Sequence, residues 1–339
     1  MTFEGRWALD SEQARTSAPA ANVSFFFEGS SLDIELEGEA RFKVEIDHQE
    51  FPELLTRERK LYRIAENLPA GIHEARLWKK TETEFGSIAL HRTIPEPVSR
   101  PQAAPQATHL ERPISHIEFI GDSYTVGFGN AARDPITGTP FTTTDSTQSY
   151  GALTAQKLGA SFAINAYSGR GLVQNYMRIA PNWTIPKLYE YTLSGEAPLG
   201  NSPRWDFTKF DPQIVCLFIG INDWQGEGPH PEAGVFDSAY SAFLDTLRKR
   251  YTSPQFILLS TETFPTNYLP ERVETVLANE LSKGNRDVSH LFLDTSRNAG
   301  LDFHPNLQRH QQMATSLYLK IKDISPQKKV IKCIFKYRL

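Results

Sequence analysis

Two cysteines, Cys216 and Cys333, are all that the 339 residues carry, and methionine is almost as rare, with three. So low a cysteine content excludes a disulfide-built scaffold and a cysteine-based zinc site. Charge of neither sign dominates. Lys and Arg total 36 against 40 Asp and Glu, a net charge of −4. That balance excludes a protein held to nucleic acid or to an acidic membrane by bulk charge. No apolar run approaches the roughly 20 residues of a membrane span. Met1 to Asp10 lacks the basic and apolar segments of a signal peptide, so the chain either stays inside the cell or has a leader that this sequence does not carry. What is present is 40% hydrophobic and 22% charged residues, enough to bury a sizeable core, and a length that suits one large or two modest domains.

The chain divides by its hydrophobic period. Up to about residue 94, short apolar runs alternate with polar residues and break at Gly. Leu32-Asp33-Ile34-Glu35-Leu36-Glu37 alternates strictly, as does Phe42-Lys43-Val44-Glu45-Ile46-Asp47; Ser24 to Phe27 and Ile72 to Trp78 are further strand candidates. Period two predicts half-buried antiparallel strands, and several of them without a helix predict a small sandwich or jelly roll over 1–94. Pro95, Pro97, Pro101, Pro105 and Pro113 then predict a stiff linker over 95–113. From 114 to about 325 the pattern becomes α/β. Ile117 to Ile120, Phe162 to Ile164, Ile214 to Ile219, Phe256 to Leu259 and Leu291 to Leu293 read as strands. Ser149 to Leu158, Phe236 to Tyr251 and Leu307 to Ile321 have helical spacing. Strands alternating with helices predict a parallel sheet covered on both faces, a three-layer α/β/α unit. The stretch Glu196 to Phe210 reads as a long surface loop able to wall a cleft. The tail, 326–339, mixes basic and apolar residues.

Ligands of open α/β sheets bind at the carboxyl ends of the strands. After Ile120 comes Gly121-Asp122-Ser123. After Ile164 comes Asn165-Ala166-Tyr167-Ser168-Gly169-Arg170-Gly171. After Ile219 comes Gly220-Ile221-Asn222-Asp223-Trp224. Just before the last helix comes Asp302-Phe303-His304-Pro305. Each alone is an ordinary turn. Together, four strand ends supply a hydroxyl nucleophile, a Gly-rich backbone, a side-chain amide and an imidazole, the parts of an acyl-transfer site. A serine hydroxyl needs a base to take its proton, and His304 is the candidate, able to return that proton to the leaving group. A carboxylate beside such an imidazole would hold its tautomer; Asp302 is the acid that the sequence offers. Asp122 better suits bracing its own turn through local hydrogen bonds.

This block order resembles that of the SGNH, or GDSL-type, hydrolase superfamily over roughly residues 114–322. The β unit in front makes the chain look like carbohydrate esterase family 2, to whose strand-and-turn pattern Phe42 to Asp47 and Leu68-Pro69-Ala70-Gly71-Ile72-His73 are similar. The resemblance implies an SGNH-type α/β/α domain behind a jelly roll, and deacetylation of O-acetylated plant-wall sugars by a serine esterase without metal or cofactor. It implies an oxyanion hole made of the Ser123 and Gly169 backbone N–H groups and the Asn222 amide. Gly169 would let the loop approach substrate closely. The superfamily usually places its acid three residues before the His, where this chain has Leu301. Family 2 sometimes orients its imidazole by a backbone carbonyl instead, so a Ser123–His304 dyad and a triad with Asp302 both stay open. Family resemblance further implies a secreted or periplasmic location.

Pyranose rings bury well against flat apolar surfaces. Tyr167, Trp224 and Phe303 adjoin the catalytic blocks and are the expected substrate-binding aromatics, with Asp223 beside them; Arg170 is a further contact or a plain surface residue. No dinucleotide, P-loop or helical metal-pair spacing occurs. An acetylated oligo- or polysaccharide is the expected partner, with neither nucleic acid nor a membrane span. A lipid or thioester hydrolase would need a deep apolar tunnel, and a non-catalytic carbohydrate-binding protein would not need all four blocks.

Overall fold

The computed structural model describes residues 1–100, 114–295 and 299–324. Most of the expected linker (from residue 101), the 326–339 tail and Cys333 lie outside the described residues.

The first unit is a sandwich of two five-stranded antiparallel sheets. Its strands are β1 (Thr2–Glu4), β2 (Ala8–Leu9), β3 (Ala14–Thr16), β4 (Asn22–Glu28), β5 (Leu32–Glu37), β6 (Ala40–Ile46), β7 (Gln49–Thr56), β8 (Lys60–Ala65), β9 (Ile72–Lys79) and β10 (Ile88–Ile94). One sheet runs β1-β4-β9-β6-β7, the other β2-β3-β10-β5-β8. Alternation decides which side chains go inward. Leu32, Ile34 and Leu36 of β5 are buried and face Phe25, Phe27, Val44, Ile46 and Leu77 of the other sheet in one core. Past β10 the chain does not leave at once, as the prolines suggested. Val98 gives its N–H to the Phe26 carbonyl at 2.8 Å, extending the first sheet beside β4.

The second unit is a five-stranded parallel sheet in the order β12-β11-β13-β14-β15, with β11 at His116–Gly121, β12 at Ser161–Ala166, β13 at Ile214–Phe218, β14 at Gln255–Ser260 and β15 at Val288–Phe292. The helices are α1 (Ser123–Val126), α2 (Pro140–Thr143), α3 (Tyr150–Leu158), α4 (Ile185–Leu188), α5 (Ile221–Trp224), α6 (Ala233–Arg250), α7 (Leu269–Ser282) and α8 (Leu307–Ile324). α3 packs with α8, and α6 with α7. Right-handed crossovers put the two pairs on opposite faces, because the chain steps one way from β11 to β12 and the other way from β13 to β15. The apolar run through β13 is buried at every position, as a strand covered on both faces must be. α7 has no counterpart among the helices read from the sequence. None of the described helices is long and apolar enough to cross a membrane.

The strand order reverses between β11 and β13, which makes their carboxyl ends the crevice where such sheets take ligands. The sandwich is fastened beside it. Arg6 is buried, pairs with Glu118 of β11 at 3.4 Å, and donates to the carbonyls of Tyr189 and Tyr191. Its guanidinium lies 4.3 Å from the centre of the Tyr189 ring and 5.1 Å from that of Trp205. Glu118 also accepts from Tyr189, Tyr251 and Asn165. The 196–210 segment, expected as a cleft wall, docks on the sandwich instead: Glu196 pairs with Arg15 at 3.3 Å and accepts from Ser87, and Trp205 is buried beside Arg6.

Candidate active site

Ser123 stands at the first position of α1, immediately after β11. The cap is Asp122, whose carboxylate accepts the Tyr124 N–H at 3.1 Å, so the turn is fixed by a side chain next to the hydroxyl. Ser123 is 7% exposed. Its Oγ lies 2.9 Å from His304 Nε2. The two residues are brought together by tight main-chain contacts between segments far apart in sequence. Leu301 gives its N–H to the Gly129 carbonyl at 3.1 Å, and Leu307 gives its N–H to the Asn130 carbonyl at 2.9 Å. A Cβ on Gly129, where φ is +59°, would sit 2.3 Å from Leu301 Cβ, so only glycine lets the His304 loop come this close. Phe128 and Tyr124 then hold the imidazole face, with ring centroids 4.5 Å and 5.2 Å away.

The other imidazole nitrogen settles how the ring is oriented. His304 Nδ1 donates to the carbonyls of Leu301 at 3.1 Å and Asp302 at 3.3 Å. Two carbonyls can only accept, so the proton sits on Nδ1 and Nε2 is left free to accept from Ser123. The Asp302 carboxylate is exposed and makes neither a hydrogen bond nor an ion pair with His304 among the described residues, its charge reaching the ring only at a distance. Asp302 and Phe303 have φ of +49° and +59°, a tight left-handed turn that aims the main-chain carbonyls, not the side chain, at the ring. Burial pushes the His304 pKa below the ordinary histidine value, opposed by these carbonyls. A neutral base is therefore available below the usual titration range. The kcat/KM profile should have its acid limb below about pH 6.5, where the free imidazole ordinarily titrates; an inflection above pH 7 would contradict this environment for His304.

The remaining blocks converge on the same crevice. Ala166 of β12 stands opposite Gly121 of β11, so the loop after β12 leaves the sheet beside Ser123. Neither Ser123 nor Gly169 gives its N–H to a protein acceptor among the described residues. Asn222, on α5 after β13, has both amide hydrogens committed at rest: it donates to Asp122 at 3.1 Å and to the Arg170 carbonyl at 3.0 Å.

Two expected substrate contacts are not placed for that role. Trp224 is 4% exposed and packs against Phe236, Tyr268 and His230. Asp223 is fully buried, and its carboxylate accepts the N–H groups of Leu172, Val173 and Gln174 at 2.7–2.8 Å. It braces the 169–175 loop from within. Burial pushes its pKa up to about 6, against the pull of those three donors. Burial likewise pushes Asp122 up to about 8. Tyr167 is half-buried under the Arg170 guanidinium, 4.6 Å from its ring centre, and Phe303 is 67% exposed beside His304. Arg170 itself is buried, not a surface residue. No group of three or more His, Cys, Asp or Glu able to hold a metal occurs among the described residues.

A parallel sheet with a serine and a histidine joined at its switch point, carried behind a β-sandwich, is the architecture of an SGNH-type hydrolase with an accessory β unit. The comparisons agree. Residues 119–319 match the model of the GDSL-like Lipase/Acylhydrolase family, and residues 3–105 match the one described as Carbohydrate esterase 2 N-terminal. The chain belongs to the GDSL-like lipase/acylhydrolase family, within carbohydrate esterase family 2. An acetylxylan esterase/glucomannan deacetylase of Cellvibrio japonicus is 29% identical over 315 residues, 89% of this chain and 83% of the relative. The cellulase/esterase CelE of Acetivibrio thermocellus is 30% identical over 95% of this chain, which spans 39% of that protein. A solved family two carbohydrate esterase from Clostridium thermocellum in complex with cellohexaose superposes with a TM-score of 0.83 at 28% identity, covering 95% of this chain and 98% of that one.

Proposed function

We propose that the chain is a serine esterase that removes O-acetyl groups from plant-wall polysaccharides of the acetylxylan and glucomannan type. The observation that carries the reading is the 2.9 Å contact between Ser123 Oγ and His304 Nε2 at the switch-point crevice, in a chain similar to an acetylxylan esterase/glucomannan deacetylase. Ser123 attacks the acetyl carbonyl carbon while Nε2 takes its proton. The charge on the carbonyl oxygen is met by the N–H groups of Ser123 and Gly169. The Asn222 amide joins them by giving up one of its two resting partners. The tetrahedral intermediate collapses, the C–O bond to the sugar breaks, and His304 passes the proton to the leaving hydroxyl. Water, deprotonated by His304, then attacks the acetyl carbon; the bond to Ser123 Oγ breaks, acetate leaves, and His304 returns the proton to Oγ. Throughout, the imidazolium is steadied by the Leu301 and Asp302 carbonyls, so the machinery is read as a dyad.

That reading makes a direct prediction at the residue expected to be the acid. Asp302→Asn keeps the backbone and should leave kcat/KM within about threefold of the parent, whereas a triad aspartate would cost roughly 10⁴-fold. Steady-state kinetics on p-nitrophenyl acetate separates the two. Substrate class is tested by acetate release from acetylated xylan, acetylated glucomannan and monosaccharide acetates beside long-chain acyl esters. The exposed Phe303 and half-buried Tyr167 favour a shallow sugar site, and a preference for long acyl chains would overturn it. A wall polymer lies outside the cytoplasm, so a secreted or periplasmic location is inferred. Recovery of the native protein only from the cytosol on cell fractionation would contradict it.

A further inference from the structure

We infer that the sandwich sets the geometry of acyl transfer: Glu82, in the sandwich and 86 residues before Ser168 in sequence, is a positioning residue for the loop that carries Gly169. The inference rests on the reading of Gly169 as an oxyanion donor. Glu82 follows β9 and is fully buried, a rare situation for glutamate. Its Oε2 accepts the Ser168 N–H at 3.2 Å, while its Oε1 has no partner among the described residues. One residue on, Thr83 Oγ1 donates to the Ala166 carbonyl at 2.8 Å. Residues 166 and 168 are thus both tied to the sandwich, and Gly169 is the next residue along.

The turn that makes these contacts is itself anchored. Lys79 is fully buried and its ammonium donates to the carbonyls of Thr81 at 2.8 Å, Glu82 at 2.9 Å and Ser17 at 3.4 Å. Burying a carboxyl and an amine without an ion pair between them is costly. Domain adhesion alone would be served as well or better by apolar groups of the same size. What an apolar group cannot supply is an acceptor for the Ser168 N–H. The far end of the loop is held in the same manner by Asp223, which takes the N–H groups of residues 172 to 174. Gly169, with φ of +73°, lies between these two carboxyl anchors with its own N–H uncommitted among the described residues. Burial pushes the Glu82 carboxyl up to about 7, and both of its protonation states can accept the N–H.

The test uses the full chain and p-nitrophenyl acetate, with kcat normalised to folded protein by circular dichroism. Glu82→Leu should lower kcat by roughly 10–10²-fold and leave KM within about threefold, the size of effect expected when an oxyanion donor is slackened and not removed. Glu82→Gln, whose amide oxygen still accepts, should recover kcat to within about threefold of the parent on the same reasoning. If Glu82→Leu does not fold, Thr83→Val, which loses only the bond to Ala166, carries the test with an expected fall in kcat of about threefold or more at unchanged KM. A kcat in the folded variant equal to the parent's, or an equal loss in Glu82→Gln and Glu82→Leu, would overturn the inference. Ser123→Ala is run alongside. Turnover retained there sinks the esterase reading itself, whereas turnover abolished there with a fully active Glu82→Leu sinks only the role of Glu82.

Discussion

Ser123→Ala is expected to abolish hydrolysis of p-nitrophenyl acetate, by roughly 10⁴–10⁶-fold in kcat, while the protein stays folded. The size follows from what the side chain does. Without Oγ no acyl-enzyme forms, and His304 has no proton to move. The surviving N–H donors can still polarise a bound carbonyl, so a residue of activity over plain water is expected and not a true zero. The fold should tolerate the change. The first turn of α1 is capped by Asp122 and closed at Gly127, neither of which uses the Ser123 hydroxyl. Far-UV circular dichroism and the melting curve should therefore match the parent. Turnover within tenfold of the parent, after contaminating esterase is excluded by titration with an active-site phosphonate, would refute Ser123 as nucleophile.

Arg6→Met should be the most destabilising of the substitutions considered, at about 3–5 kcal/mol, the usual cost of removing one partner from a buried ion pair. Three losses coincide. Glu118 keeps the hydroxyls of Tyr189 and Tyr251 and the Asn165 amide, but loses its counter-charge. The carbonyls of Tyr189 and Tyr191 lose their donor in a buried place. The stacking of guanidinium on Tyr189 and Trp205 goes as well. Methionine fills much of the volume, so cavity formation adds little. Urea unfolding followed by tryptophan fluorescence would measure the loss, and Trp205 reports directly from the interface. A midpoint unchanged from the parent would mean that the Arg6 cluster contributes nothing net. The double change Arg6→Met, Glu118→Met distinguishes a stranded charge from a lost contact: it should be more stable than Arg6→Met alone.

Much of this architecture is written locally. The strict alternation of Leu32 to Glu37 becomes β5 with its leucines and isoleucine inside, and the apolar run from Ile214 becomes a strand buried on both faces. The four blocks at the strand ends were legible because parallel sheets gather those ends at one edge. Orientation was not legible. Asn222, Asp223 and Trp224 share a single helical turn, and successive side chains there diverge by about 100°. With Asn222 turned to Asp122 and the Arg170 carbonyl, its two neighbours must point elsewhere, and they are buried. A three-residue motif could not say which of the three would face the crevice. The contacts that seat His304 were equally hidden. They run from main chain to main chain, Gly129 to Leu301 and Asn130 to Leu307, between segments far apart in sequence. The glycine at 129 was the one available signal, and a lone glycine has many uses. Segment 196–210 looked like a free loop because its partners, Arg15 and Ser87, belong to the other unit.

His304 takes its orientation from two peptide carbonyls, and every amino acid has one. The proton relay is thus indifferent to which side chains occupy the exposed positions 302 and 303, so long as the left-handed turn can form. Those positions are free to drift or to be redesigned for a different glycan without a compensating change in the chemistry. A saturation library confined to 302 and 303 should shift polysaccharide preference far more readily than it kills the catalyst.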